Sequence, residues 1–320
     1  MDKYKIRDPL TCGAHGVIVE AVTRKGHSDE SDVRQRLAIK RIIVRSHDLP
    51  LSVRREIESL KLLRDQRFVV QLLDVCRSGS SVNLVFHLLP SNLTHLIHEQ
   101  DMTDYQKKAV IYMMSEGVRV MHSFHLMHRD LKPGNLLVDW DGCVQICDLG
   151  QTRSLSPDHL HSHQVSTRSY RAPELLFGAT RYGQEVDMWS AGCIIAETFL
   201  KKILFASHSD ISQLSLVTSC LGLVHPDWAS AFPDYAKITF DFDDHFLKQN
   251  RKAFRSQIRD QVNDEAVSDL IFSLIRYTNR DTAEDVVRNP LFTEFREQGI
   301  KYDLLFKPDS IQQPVGPQMS

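Results

Sequence analysis

The 320-residue sequence lacks several features that would point to particular classes of protein. Its six cysteines, Cys12, Cys76, Cys143, Cys147, Cys193 and Cys220, include no C-x-x-C pair, which argues against a disulfide framework and for reduced, mostly buried thiols. Cys143 and Cys147 lie four apart with no matching His or Cys pair nearby, so a zinc site is not expected. The triplet His159, His161 and His163 lacks a fourth ligand and reads the same way. An excess of one charge is missing too: 39 Lys plus Arg against 41 Asp plus Glu give a formal −2, with no field to gather nucleic acid or an anionic membrane. Met1–Leu10 carries Asp2, Lys3, Lys5, Arg7 and Asp8 where a secretory leader would be apolar, so an intracellular protein is expected. The most apolar stretch, Ala191–Ala206, is broken by Glu197, Lys201 and Lys202 and falls short of the roughly 20 apolar residues a bilayer span needs. There is no internal repeat, no low-complexity tract and no G-x-x-x-x-G-K-[ST] loop, which argues against a P-loop NTPase.

What remains is an ordinary globular composition, 42% hydrophobic and 25% charged, with length for about two domains or lobes. The first ninety residues read as strands: Val17–Val22, Leu37–Val44, Phe68–Val75 and Val82–Phe86 are rich in β-branched residues. One helix interrupts them, capped by Ser52 and carrying Val53, Ile57 and Leu60 on one face to about Leu63. After Pro90 the pattern turns helical. Thr103-Asp104-Tyr105-Gln106 is a capping box opening a helix with Ala109, Val110, Met113, Met114, Gly117, Val118 and Met121 on its apolar side. A second helix runs from about Glu185 to Leu200, and weaker ones follow Ile211. The expectation is an α+β chain: a small sheet-rich lobe with one helix, residues 4–87, joined through 88–93 to a larger helical lobe, 94–292. The tail, 293–320, reads as loosely ordered from Phe295 onward.

The strongest chemical signal is His128-Arg129-Asp130-Leu131-Lys132-Pro133-Gly134-Asn135. It matches H-R-D-L-x-x-x-N, in which Asp accepts the proton of an attacking hydroxyl and Asn holds magnesium; a chance match is on the order of 10⁻⁵ at this length. On these residues the sequence resembles the eukaryotic protein kinases, and the resemblance implies their bilobal fold, with ATP and Mg2+ as cofactors. Asp148-Leu149-Gly150 follows eighteen residues after Asp130 and is similar to the magnesium-binding D-F-G, with Leu keeping an apolar plug. Lys40 in Leu37-Ala38-Ile39-Lys40 matches the V-A-I-K lysine, which pairs with ATP phosphates and a helix glutamate. Glu56 fits that partner better than Glu58, because Val53-Arg54-Arg55-Glu56 is similar to the corresponding helix of cyclin-dependent kinases. The loop over the nucleotide appears as Thr11-Cys12-Gly13-Ala14-His15-Gly16-Val17-Ile18. Its first glycine is Thr11, which should stiffen the loop and weaken ATP binding modestly. By position, the resemblance puts Phe86 and Ala38 at the adenine pocket, the Leu88 and Leu89 backbone at the adenine edge and Asn92 at the ribose.

The segment ending Thr167-Arg168-Ser169-Tyr170-Arg171-Ala172-Pro173-Glu174 narrows the resemblance to the cyclin-dependent kinases. It implies that Thr167 is the activating phosphosite, with Arg55, Arg129 and Arg153 as the cations that would receive its phosphate. Lys132 implies Ser or Thr acceptors rather than Tyr. Arg171 implies a pocket for proline after the target, with Ser169 in place of the usual Trp. Ala14 and His15 replace residues that carry inhibitory phosphates in cell-cycle members. Glu174 and Arg280 match a buried ion pair, and Asp187 with Trp189 a helix supporting the catalytic loop. The overall likeness is to the ciliary, cell-cycle-related branch of the group. It implies protein substrates with Ser/Thr-Pro sites, a cyclin-like or other activating protein and an upstream activating kinase, with no nucleic acid and no membrane insertion. It also implies residence in cytoplasm and cilium ahead of the nucleus. The rival reading is a catalytically silent scaffold on the same fold. Thr11, Leu149 and Ser169 favour it, and the complete set Lys40, Glu56, Asp130, Asn135 and Asp148 opposes it.

Overall fold

A computed structural model describes residues 3–13, 16–24, 36–44, 48–155 and 161–305, apart from the side chains of Cys12 and Gly13. The described residues form two compact units. The first takes in the described residues within 1–106, 133–152 and 300–305, and the second those within 107–132 and 153–299. The α+β class expected from the sequence is the one observed.

The first unit is built on a five-stranded antiparallel sheet in the order β1-β2-β3-β5-β4. Its strands are β1 (Tyr4–Gly13), β2 (Gly16–Thr23), β3 (Arg36–Ile43), β4 (Asp74–Ser78) and β5 (Ser81–His87). Alternation on β2 and β3 turns Val19, Ala21, Leu37 and Ile39 into one buried layer with Val85. On the other side Val82 and Leu84 meet Val53 and Ile57 of α1 (Leu51–Leu62). Helix α1 starts two residues earlier than its pattern suggests. Pro50 is its N-cap, with no side-chain capping bond, and Ser52 lies exposed within the first turn instead of capping it.

Two stretches depart from the sequence reading. β1 carries no alternation, because most of its residues are exposed, and its pairing with β2 shifts register at Pro9. The run Phe68–Val75 is a strand only from Asp74. Before that, Gln71 turns the chain by accepting from Asp65 N and donating to the carbonyls of Gln66 and Val69, leaving one bridge between Val69 and Ile146. Beyond β5 come β6 (Ser91–Asn92) and α2 (Leu93–Glu99), and β6 joins a small sheet with β8 (Leu136–Val138) and β9 (Val144–Ile146).

Helix α3 (Asp104–Ser123) begins at the expected capping box: Thr103 N donates to Gln106 Oε1 at 2.9 Å and Gln106 N to Thr103 Oγ1 at 3.3 Å. Gln106 Nε2 also holds the carbonyls of Leu304 and Leu305, and Tyr105 Oη accepts from Lys301 N at 2.8 Å. Residues 300–305 are therefore tied down, and Phe295 is buried against Tyr112, contrary to the loose tail expected from Phe295. Residues 306–320 lie outside the described residues.

The second unit contains β7 (Leu126–Met127) paired with β10 (Arg153–Ser154), then α4 (Pro173–Leu176) and α5 (Glu185–Leu200). It continues through α6 (Asp210–Leu221), α7 (Pro226–Ala229), α8 (Asp244–Val262), α9 (Glu265–Leu274), α10 (Ala283–Arg288) and α11 (Thr293–Gln298). α5 is buried on nearly all sides and has the bounds its periodicity implies. No described helix is long and apolar enough to cross a membrane. The five cysteines whose side chains are described form no disulfide with one another, and no metal-binding cluster of three or more His, Cys, Asp or Glu occurs among the described residues.

Candidate active site

In the first unit, a pocket is lined by Leu10, Ile18, Ala38, Val70, Phe86, His87, Leu88, Leu89, Leu137 and Cys147, and by three charged groups, Lys40, Glu56 and Asp148. Its apolar part suits a planar heterocycle, and its polar groups gather on one ion-paired constellation. Lys40 Nζ lies 2.7 Å from Glu56 Oε1 and 2.8 Å from Asp148 Oδ1, with 7% of the lysine side chain exposed. Alternation along β3 and the helical phase of α1 deliver the two ends of this contact. Burial alone would push Lys40 down, but Glu56 and then Asp148 outweigh it and hold the ammonium above its ordinary pKa. Glu58, the competing partner, is exposed.

Asp148 reaches the lysine from a left-handed backbone, φ 58° and ψ 67°, followed by a tight turn over Leu149–Gln151 that buries Leu149 completely. Cys147 N donates to Asn135 O at 2.9 Å, so Asn135 and Asp148 leave paired strands side by side. A buried amide beside one carboxylate fits magnesium, which takes few protein oxygens and leaves the rest of its octahedron to water and phosphate.

Three expectations concern this pocket. Asn92 is 1% exposed and is not among the lining residues; its Oδ1 accepts from His95 N at 3.0 Å and caps α2. The Leu88 amide donates to Arg36 O at 3.1 Å, extending the β3 ladder, so that N–H is committed within the protein. Among the described side chains of the loop over the nucleotide, Ile18 is a lining residue. Thr11 and Val17 pair across the hairpin with Ile18 and Cys12, while Ala14 and His15 lie outside the described residues. Gly16 is required by the backbone: at φ 128° a Cβ would strike the Arg41 carbonyl. Leu10, Val70, Leu137 and Cys147 are lining residues the sequence reading did not name. Leu137, two residues after Asn135 on β8, and Cys147, directly before Asp148, were findable from motif position alone.

In the second unit the catalytic-loop residues are fixed by Asp187, at the start of α5 and 1% exposed. Its carboxylate accepts from His128 N and Arg129 N, both at 2.8 Å, and lies 2.9 Å from His122 Nε2. These bonds hold Arg129 at φ 68°, a strained conformation for a side-chain-bearing residue, and so set the direction in which Asp130 leaves the loop. Asp130 Oδ1 accepts from Thr167 N at 2.8 Å and Thr167 Oγ1 at 3.1 Å, and its Oδ2 lies 3.4 Å from Lys132 Nζ.

Desolvation alone would raise the pKa of Asp187, but His122 and the loop donors hold it below the usual carboxylate range. A carboxyl depressed in the folded state contributes stability that is present above its unfolded pKa of about 3.9 and is lost as pH falls through the lower folded value. Urea midpoints should therefore be flat above about pH 5 and fall below about pH 4. Asp187→Asn, which turns an amide donor toward a backbone donor, should lower stability at neutral pH by about 2–3 kcal/mol and remove that share of the acid loss.

Thr167 is not where an activating phosphate belongs. Its hydroxyl and amide are both on Asp130, so a phosphate there would set about two negative charges against that carboxylate. Arg55 is half-buried on α1, in the first unit. Arg129 Nη1 donates to Tyr182 Oη at 2.8 Å, and Tyr182 Oη donates to Ser162 O at 2.6 Å. Burial raises the Tyr182 pKa, and Arg129 and Arg153 partly offset the shift. His161 packs on the same ring at 5.2 Å; His163 is half-buried, and His159 lies outside the described residues. The residue on the arginine side of the segment is thus Ser162, exposed and five positions before Thr167.

A profile of the protein kinase domain matches residues 5–292. Cyclin-dependent kinase 20 of Danio rerio is 39% identical over 248 residues, 75% of this chain and 70% of that protein. The Homo sapiens protein of that name is 38% identical over 249 residues at the same coverage. The chain belongs to the protein kinase family, in its cyclin-dependent group. Among solved structures, a chain from the structure of the CAK complex from Chaetomium thermophilum bound to ATP-gamma-S matches with a TM-score of 0.78 at 25% identity, covering 91% of each chain. The kinase is accordingly a Ser/Thr protein kinase of a family that uses ATP, on the α+β fold its sequence resembles.

Proposed function

We propose that this kinase transfers the γ-phosphoryl of MgATP to Ser or Thr followed by Pro, and that phosphorylation at Ser162 switches it on. The observation that carries the transfer reading is the buried Lys40–Glu56–Asp148 constellation, in which Glu56 fixes a buried ammonium for phosphate oxygens and Asp148 offers a carboxylate for a metal ion. Lys40 orients the α- and β-phosphates and Glu56 keeps it in place. With the Leu88 amide committed to β3, the Leu89 backbone meets the adenine edge. Asn135 and Asp148 would hold magnesium, which when bound neutralises charge on the phosphates. Asp130 orients the acceptor hydroxyl and takes its proton, with Lys132 beside it to balance developing charge, so catalysis is chiefly alignment.

Proline preference follows from Arg171. Its Nε donates to Val165 O at 2.8 Å and its Nη2 to Ser166 O at 2.9 Å, while Nη1 pairs with Asp210 at 3.0 Å. Those carbonyls are spoken for, so a substrate residue that offers an N–H there finds it unsatisfied, and proline, which has none, loses nothing. On paired peptides differing only at that position, Pro should exceed Ala by about tenfold in kcat/KM; equal rates would discard the preference.

The switch at Ser162 rests on the Arg129–Tyr182–Ser162 chain. A phosphate on this exposed serine, whose carbonyl already accepts from Tyr182, would be drawn to the Arg129 guanidinium on the same tyrosine. Treatment with an upstream activating kinase should raise activity, Ser162→Ala should abolish the rise, and Thr167→Ala should leave phosphate incorporation intact. Activation by a cyclin-like protein is in keeping with relatives named as cyclin-dependent kinases, and a cytoplasmic or ciliary setting is part of the same proposal.

A further inference from the structure

Helix α8 carries Lys248, Arg251, Lys252, Arg255 and Arg259 against Asp244 and Asp260, a balance of 5 − 2 = +3 on one helix of a chain whose total is −2. The spacing places the five cations on one stripe, since residues three and four apart share a helical face. Lys248, Arg251, Lys252 and Arg259 are exposed and Arg255 is half-buried, on a stripe that flanks the buried Leu247, Ile258 and Val262. Counter-charge is scarce. Arg259 pairs with Asp269 of α9 at 3.0 Å, and Asp260 is engaged by Ser256. Lys248, Arg251 and Lys252 make no ion pair among the described residues. Arg255 is laid over the Phe272 ring at 4.1 Å, which fixes its guanidinium in place between Arg251 and Arg259. Mutual repulsion along one helix works against folding, and a stripe that keeps it is shaped to meet negative charge.

We infer that this stripe docks an extended, Asp/Glu-rich segment of a protein substrate or partner. From Lys248 to Arg259 the helix advances about 16 Å, at about 1.5 Å per residue, which an extended peptide spans with about five residues at about 3.3 Å each. A bilayer is the weaker fit, because the apolar face that would insert is already buried in the unit. The inference stands apart from catalysis, since its test reads binding.

The full-length kinase would be titrated into a fluorescein-labelled peptide containing six consecutive Glu and into its Gln counterpart, with anisotropy read at about 0.05 M and about 0.5 M salt. The Glu peptide should bind at least about tenfold tighter than the Gln peptide and lose that margin at high salt. The double variant Arg251→Glu/Arg255→Glu should lose the difference, whereas Arg251→Lys/Arg255→Lys should keep most of it, with unchanged circular dichroism in both. Phosphorylation of a short peptide without acidic residues should be unaffected by either variant. Equal binding of the two peptides, or full binding by the charge-reversed variant, would overturn the inference. So would tighter binding to vesicles containing phosphatidylserine, or to a DNA duplex, than to the Glu peptide.

Discussion

Replacing Asp130 with asparagine is expected to lower phosphotransfer by about 10³–10⁴-fold while leaving the melting temperature within a degree or two of the parent, the scale on which a positioned general base contributes. The two outcomes are separable because the carboxylate has two jobs. Its Oδ1 accepts from Thr167 N and Oγ1, and an asparagine oxygen continues to do so. The other oxygen, beside Lys132 Nζ at 3.4 Å, is the one whose basicity disappears with the substitution. Steady-state rates on a Ser-Pro peptide, with calorimetry on the same samples, check both halves. A variant that loses activity and unfolds early would mean Asp130 is chiefly a strut of the loop.

The largest expected effect on stability is at Arg280. Its side chain is 1% exposed and forms a two-pronged pair with Glu174, Nη1 to Oε1 at 2.5 Å and Nη2 to Oε2 at 2.8 Å. It also donates to the carbonyls of Arg276, Tyr277 and Glu185, and its guanidinium lies 5.1 Å from the Trp189 ring centre. Arg280→Ala leaves a buried carboxylate and three carbonyls without their donor, a loss of about 3–5 kcal/mol. A drop in melting temperature on the order of 10 °C follows for a body of this size. Arg280→Lys should recover little of it, since an ammonium cannot engage both oxygens in the same plane. Glu174→Gln should cost less than Arg280→Ala, because the arginine keeps its carbonyl acceptors.

Much of this was legible in the sequence wherever the deciding interaction is local or the motif is rigidly spaced. The Thr103–Gln106 box, the limits of α5 and the Lys40–Glu56 contact fall where pattern and spacing put them. What escaped depends on neighbours distant in the chain or on which of two hydroxyls faces a charge. Strand β1 shows no periodicity because it is exposed along most of its length. Residues 300–305 are held by Tyr105 and Gln106, nearly two hundred positions away, which no window along the tail can reveal. Asn92 caps a helix instead of facing a ribose, since an Asn before Leu93-Thr94-His95 serves the nearer donor first. Thr167 and Ser162 are both hydroxyls in one segment. Only the bonds from Thr167 to Asp130, and from Arg129 through Tyr182 to Ser162, tell them apart.

The account stands or falls on transfer of phosphate from the Lys40 site to a protein hydroxyl. The most direct measurement incubates the purified kinase, phosphorylated at Ser162 by an upstream kinase, with γ-labelled ATP and magnesium on matched Ser-Pro and Tyr-Pro peptides, beside Lys40→Met. The expected result is label on the Ser-Pro peptide alone, lost with EDTA and lost in Lys40→Met. No label on the Ser-Pro peptide above the Lys40→Met background, in a protein that binds ATP, would contradict it.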